Sequence, residues 1–117
     1  MNLDTAIEAH DQWKIKFRRA ISKKETMNVD FIFAVHCCEL GEWLHGQATE
    51  SYGSLKNYAD VVGKHGEFHL QAGKIAAAIN DRNYAEAEAM MGQGTKFTEA
   101  SLLLTSALKS LWSEAKD

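Results

Sequence analysis

The chain contains no proline. Proline kinks or ends helix interiors, so its absence from 117 residues fits a chain that is mostly helix. Long apolar runs are missing too. The longest, "FIFAV" leading into "HCC", falls far short of the roughly 20 residues that cross a bilayer. Basic charge is not concentrated anywhere: 13 Lys and Arg stand against 16 Asp and Glu, for a net charge of −3 and a pI near 5.9. That balance argues against a nucleic-acid or anionic-membrane surface, and "KFRRA" with Lys23 and Lys24 reads as a solvated helix face. Cysteine is scarce, and the two present, Cys37 and Cys38, are adjacent. Neighbouring cysteines strain the peptide between them when bridged, so a secreted disulfide framework is excluded. The opening "MNLDTAIEAHDQWK" is amphipathic and does not read as a signal peptide. Together these features place the chain in a reducing cytoplasm, without membrane insertion.

What is there is enough for a core. Hydrophobic residues make up 45% of the chain, the length suits one domain over residues 1–117, and no repeat or linker divides it. Apolar residues at helical spacing predict four helices. The first covers about Leu3–Ser22, with Leu3, Ile7, Phe17 and Ile21 in its stripe, Trp13 alongside and His10 inside it. The second is short, about Phe31–His45, with Asp30 as N-cap, Gly46 as its stop, and Phe31, Ala34, Val35 and Cys38 on one face. "GQATESYGS" reads as a loop. The third spans about Leu55–Ile79 with Leu55, Tyr58, Ala59, Val62, Ala72, Ala76 and Ile79 inward, and the fourth about Tyr84–Trp112 with Tyr84, Ala87, Met91, Phe97, Leu104, Leu108 and Leu111 inward. Gly92 and Gly94 mark a place where the fourth helix either kinks or lets a neighbouring backbone approach. The expected fold is all-α: a four-helix bundle whose short second helix carries Cys38.

The third helix carries "HGEFH", residues 65–69. Positions four apart share a helix face, so His65 and His69 can offer two imidazole nitrogens to one ion. Both fall on the apolar stripe, as does His10. A buried neutral histidine needs partners for both ring nitrogens or costs about 1–3 kcal/mol of unmet hydrogen bonding, and helices have few spare acceptors. A metal ion uses one nitrogen of each ring. His10, Cys38, His65 and His69 form a tetrahedral complement of borderline and soft ligands that suits Zn²⁺. On pattern alone this reading and an ordinary helical core with buried histidines both stand, because ligands on separate helices have no fixed spacing.

Three blocks in order, "AHDQWK" (residues 9–14), "CELGEWLHG" (38–46) and "HGEFH", make the chain similar to the chemoreceptor zinc-binding, or CZB, domain family. The resemblance runs through essentially the whole chain. It implies that His10, Cys38, His65 and His69 bind one zinc, and that Trp13, Gly41 and Trp43 support the site or its packing. His36, Cys37 and His45 match no ligand position and are expected to be partly exposed. Glu42 stands where a basic residue often precedes the tryptophan. The resemblance further implies a bacterial cytoplasmic signalling role, regulatory and not enzymatic, in a homodimer tethered to or associated with an output domain such as a chemoreceptor signalling region or a diguanylate cyclase. Zinc occupancy, or oxidation of the ligand cysteine by hypochlorous acid, would alter the output. The alternative from another class is a haemerythrin-like di-iron oxygen carrier. That centre needs bridging carboxylates and a His-x-x-x-Glu pair, whereas neither His36 nor His65 has Glu four residues on and the fourth helix has no histidine. A histidine phosphotransfer bundle would need an exposed histidine in place of these apolar-side ones.

Overall fold

The computed structural model describes residues 3–35 and 38–116, and among these every regular element is a helix. The helices are α1 (Leu3–Lys23), α2 (Val29–Phe33), α3 (Glu39–Leu44), α4 (Gln47–Tyr52), α5 (Lys56–Asn80), α6 (Tyr84–Ala89) and α7 (Lys96–Lys116). His36, Cys37 and the side chain of Leu3 lie outside the described residues.

Three long helices, α1, α5 and α7, meet on a cluster of aromatic rings. Phe17, Phe68 and Phe97 are all buried, with Phe17 and Phe68 each centred within 6 Å of Phe97, at 5.9 Å and 5.5 Å. Burying such rings contributes roughly 1.5–3 kcal/mol apiece, which is what sets the mutual position of the three helices. Helices α5 and α7 are antiparallel: Phe97, at the start of α7, packs on Phe68 in the middle of α5, and Glu114, near its end, reaches the first residues of α5.

That last contact supplies a cap. The N-cap residue of α5, Leu55, has no side chain able to accept the free N–H groups of the first turn. The Glu114 carboxylate accepts them instead, from Lys56 at 3.0 Å and Asn57 at 2.8 Å. These hydrogen bonds, the Asn57 N–H first, hold the Glu114 carboxyl below its ordinary value of 4.5. A depressed folded value stabilises the fold above the unfolded value, and the stabilisation is lost as pH falls through the folded one. Glu114→Gln is therefore less stable than the parent at pH 7, and the gap closes as pH drops below about 4.5. Urea midpoints of the two proteins at pH 7 and in acid check this.

The second rod of the expected bundle is present but broken. Residues 27–35 and 38–44 run down α5 against its direction. Met27 exchanges two 2.8 Å hydrogen bonds with the Asn80 side chain, the Ile32 carbonyl meets His69, Phe33 covers Gly73, and the Tyr58 hydroxyl donates to the Leu44 carbonyl. Within this course, Asn28 and not Asp30 caps α2, accepting the Phe31 N–H at 3.1 Å. Ile32 is the buried residue, whereas Phe31 is 47% exposed, one position off the face expected for a continuous helix. The chain turns extended at Ala34 and again at Cys38, then restarts as α3. The expected loop at 47–52 is a short helix, α4, whose buried residue is Ala48. The expected fourth helix divides into α6 and α7 at Gly94, whose φ of +74° is a left-handed conformation that glycine adopts without strain. Val62, expected inward on α5, is partly buried against the core, whereas Ala59, also expected inward, is exposed and Val61 is fully buried instead.

Gly73 shows why α2 can lie so close. A Cβ there would sit inside the Phe33 ring. Gly73→Ala gains up to ~1 kcal/mol of helix propensity but displaces the ring, an overpacking cost of about 1–3 kcal/mol. A net loss near 1 kcal/mol is expected in the parent. In a Phe33→Ala background the same change should stabilise by roughly 0.5–1 kcal/mol, a reversal that a double-mutant cycle in urea would read.

Candidate metal centre

His10, on α1, is buried beside the aromatic cluster, with its ring edge-on to Phe68 at 5.0 Å. His65 and His69, one turn apart on α5, are 0% and 2% exposed. Cys38, half-buried between α2 and α3, points its sulfur at both: Sγ lies 3.2 Å from His65 Nε2 and 3.5 Å from His69 Nε2. The two Nε2 atoms are 3.0 Å apart. One donor atom from each of the four residues can be chosen so that all lie within 4.8 Å of one another. The course of residues 27–44 along α5 is what delivers Cys38 to this point.

Backbone carbonyls settle which ring nitrogens face inward. His10 Nδ1 donates to the Ala6 carbonyl at 2.7 Å, and His69 Nδ1 donates to the Ile32 carbonyl at 2.8 Å. A carbonyl cannot donate, so each Nδ1 carries the proton and each neutral ring presents a bare lone pair at Nε2. Burial is the main cause holding both imidazoles below their ordinary 6.5. For His10 the Ala6 carbonyl partly opposes that shift, and His69 adds to it. At neutral pH these rings are uncharged, and among the described residues the buried His10 Nε2 has no hydrogen-bond partner. The Nε2 lone pairs of His10 and His69, together with His65 and the Cys38 sulfur beside them, offer donor atoms to a cation.

The size fits zinc. Bonds of about 2.0–2.1 Å to nitrogen and about 2.3 Å to sulfur give tetrahedral edges of about 3.4 Å for N···N and about 3.6 Å for N···S. The separations of 3.0, 3.2 and 3.5 Å come within about 0.4 Å of these edges. Three neutral imidazoles and a thiolate would leave a bound Zn²⁺ with a net charge of about +1.

The family model for the chemoreceptor zinc-binding domain, CZB, matches residues 10–76. The chain belongs to this family. The match starts at His10 itself and takes in Cys38, His65 and His69, all four residues of the cluster. No curated protein and no solved structure matches the chain. Within this CZB domain the three expected supporting residues occupy different places. Gly41 is buried and donates its N–H to Cys38 Sγ at 3.2 Å, so the sulfur also caps α3. Trp13 is half-buried on α1, 5.6 Å from the Phe17 ring, with the Lys16 ammonium 4.6 Å from its centroid. Trp43 packs on Tyr52 at 5.4 Å and joins α3 to α4. His45 is exposed at the end of α3. Sequence reasoning could not name the acceptors for the outer histidine nitrogens. For His10 and His69 they are the backbone carbonyls of Ala6 and Ile32, which any residue type could provide.

Proposed function

We propose that this CZB domain is a zinc-responsive regulatory module of a homodimeric bacterial cytoplasmic signalling protein, a chemoreceptor or a diguanylate cyclase. One Zn²⁺ is held by His10, Cys38, His65 and His69. The observation that carries the reading is the convergence of these four donors with two Nε2 lone pairs fixed inward by backbone carbonyls. Bound zinc supplies a cross-link with a full set of protein ligands, which leaves no open position for water activation.

The chain's own residues say what such a cross-link would control. Residues 27–44 are clamped at one end by Asn80 and at the other by Tyr58. Between these clamps the contacts with the cluster are the Ile32 carbonyl on His69 and the Cys38 sulfur on His65 and His69. Loosening the cluster releases the Cys38 sulfur and the Ile32 carbonyl from the histidines while the ends stay attached, giving two arrangements with different affinity for zinc, as a switch requires. Oxidation reaches the same place. Hypochlorous acid would transfer OH to the Cys38 thiolate with chloride leaving, and the resulting sulfenic acid is a poorer ligand and a poorer acceptor for the Gly41 N–H. A di-iron oxygen carrier is disfavoured, because among the described residues the cluster holds three imidazoles and a thiol but no carboxylate.

Elemental analysis of protein purified without added metal tests the proposal. It should find close to one zinc per chain in the parent and almost none in His69→Ala. Iron in place of zinc, or full zinc in the variant, would overturn it.

A further inference from the structure

A cavity of about 300 Å³ lies between α1, α2 and α3. Its wall includes Ala6, Ala9, Trp13, Phe31, Cys38 and the buried His10, but neither His65 nor His69. The cluster therefore has a covered side, made by α5, and a side that opens on this space. His10 marks the opening: it is 6% exposed, lines the cavity, and its Nε2 has no hydrogen-bond partner. A second depression of about 410 Å³ shares Trp13, Lys16 and Phe31 with the first and continues towards Ala20, Met27 and Asn28. Those three side chains thus form a partition between two spaces.

Phe31 is the movable part of that partition. It sits on the five-residue α2, is 47% exposed, and neighbours the buried Ile32 that anchors the helix. An exposed ring can change rotamer on the ps–ns scale without disturbing the core. Trp13 is stiffer, held against Phe17 with Lys16 above it. The space holds about ten water volumes at ~30 Å³ each, enough for a small molecule but not for a protein loop.

We propose that this cavity is an entry site for small thiols, gated by Phe31 against Trp13, through which they reach the Cys38–His10 edge and exchange the metal. A thiol suits the place because its sulfur matches the soft donor already there and its body meets a mixed wall, apolar at Ala9 and Phe31 and polar at Thr5, Lys16 and Glu39. The proposal rests on the zinc reading for its consequence, although the passage itself does not depend on metal.

Two measurements on the full chain separate these parts. The first uses zinc-free protein carrying Cys37→Ser, which leaves Cys38 as the one thiol. Phe31→Ala should raise the rate of Cys38 labelling by a bulky fluorescein maleimide about tenfold and by iodoacetamide less than threefold, while Phe31→Trp slows both. Unchanged labelling rates in both variants would overturn the gate. The second measures zinc release from loaded protein to dithiothreitol. Phe31→Ala should speed release about tenfold with equilibrium affinity held within twofold. An affinity loss equal to the gain in rate would instead make Phe31 a support of the site and overturn the gating role. If the chain takes up no zinc the functional reading fails, and the labelling arm still decides the passage.

Discussion

Removing zinc from the parent chain should lower its melting temperature by roughly 10 °C. The estimate follows from linkage: at a free zinc concentration 100 times the dissociation constant, binding stabilises the native state by about 2.7 kcal/mol. For a domain of 117 residues each kcal/mol moves the midpoint by about 4 °C. The effect is large because the fold already holds the donor atoms together, so the cation binds without having to order them. His65 and His69 present Nε2 atoms 3.0 Å apart, Cys38 lies within 3.5 Å of both, and burial discourages protonation of His69 and His10. His69→Ala should melt near the zinc-free parent and stop responding to zinc, since it loses one ligand and also the partner of the Ile32 carbonyl. His45→Ala, a change at an exposed histidine outside the cluster, should retain the full response. Calorimetry of the three proteins with zinc and with chelator is the measurement. A parent chain whose midpoint ignores zinc would refute the assignment.

Two substitutions at Cys38 should come apart in a way that only a sulfur with two roles would produce. Cys38 faces His65 and His69 on one side and accepts the Gly41 N–H at 3.2 Å on the other, so one atom is both candidate ligand and helix cap. Serine is among the best N-caps, so Cys38→Ser keeps α3 capped while replacing a thiolate by a hydroxyl, a poor zinc donor at neutral pH. Its zinc affinity should fall by more than the roughly 10–100-fold typical of losing a supporting contact. Its stability without zinc should match that of the parent. Cys38→Ala removes both roles and should be less stable than Cys38→Ser by about 1 kcal/mol even under chelator. Competitive zinc titration measures the first difference and urea unfolding the second. Equal zinc-free stabilities of the serine and alanine proteins would mean that the cap contributes nothing. Both variants should also lose any response to hypochlorous acid.

Where sequence reading succeeded and where it slipped follows from the range of the forces involved. The inward faces of α1 and α7 were legible because their pattern is local: Phe17 is buried as its spacing requires, and so are Phe97, Leu104, Leu108 and Leu111. Residues 31–45 misled because their apolar spacing also fits one continuous helix. The chain breaks there because Ile32 and Phe33 pack on α5, and the Cys38 sulfur then competes for the Gly41 N–H, starting a new helix. The polar stretch at 47–52 carried too weak a pattern to announce α4, whose buried residue is a single alanine. Gly94 was visible as a helix breaker, but its left-handed φ is a property of the fold.

By itself the sequence determined that the chain is helical and that His65 and His69 share a face with the apolar residues, and it offered His10, Cys38, His65 and His69 as a candidate donor set beside an ordinary helical core. These follow from composition and from a period of 3.6 residues, both of which act over a few neighbours. The tertiary structure alone decided that residues 27–35 and 38–44 descend along α5, that Cys38 lies outside α2 and caps α3, and that the Ala6 and Ile32 carbonyls turn the bare nitrogens of His10 and His69 inward. Those features depend on contacts up to 53 residues apart, such as Met27 with Asn80, and on backbone groups that are the same in every residue type, so no pattern of side chains along the chain could reveal them.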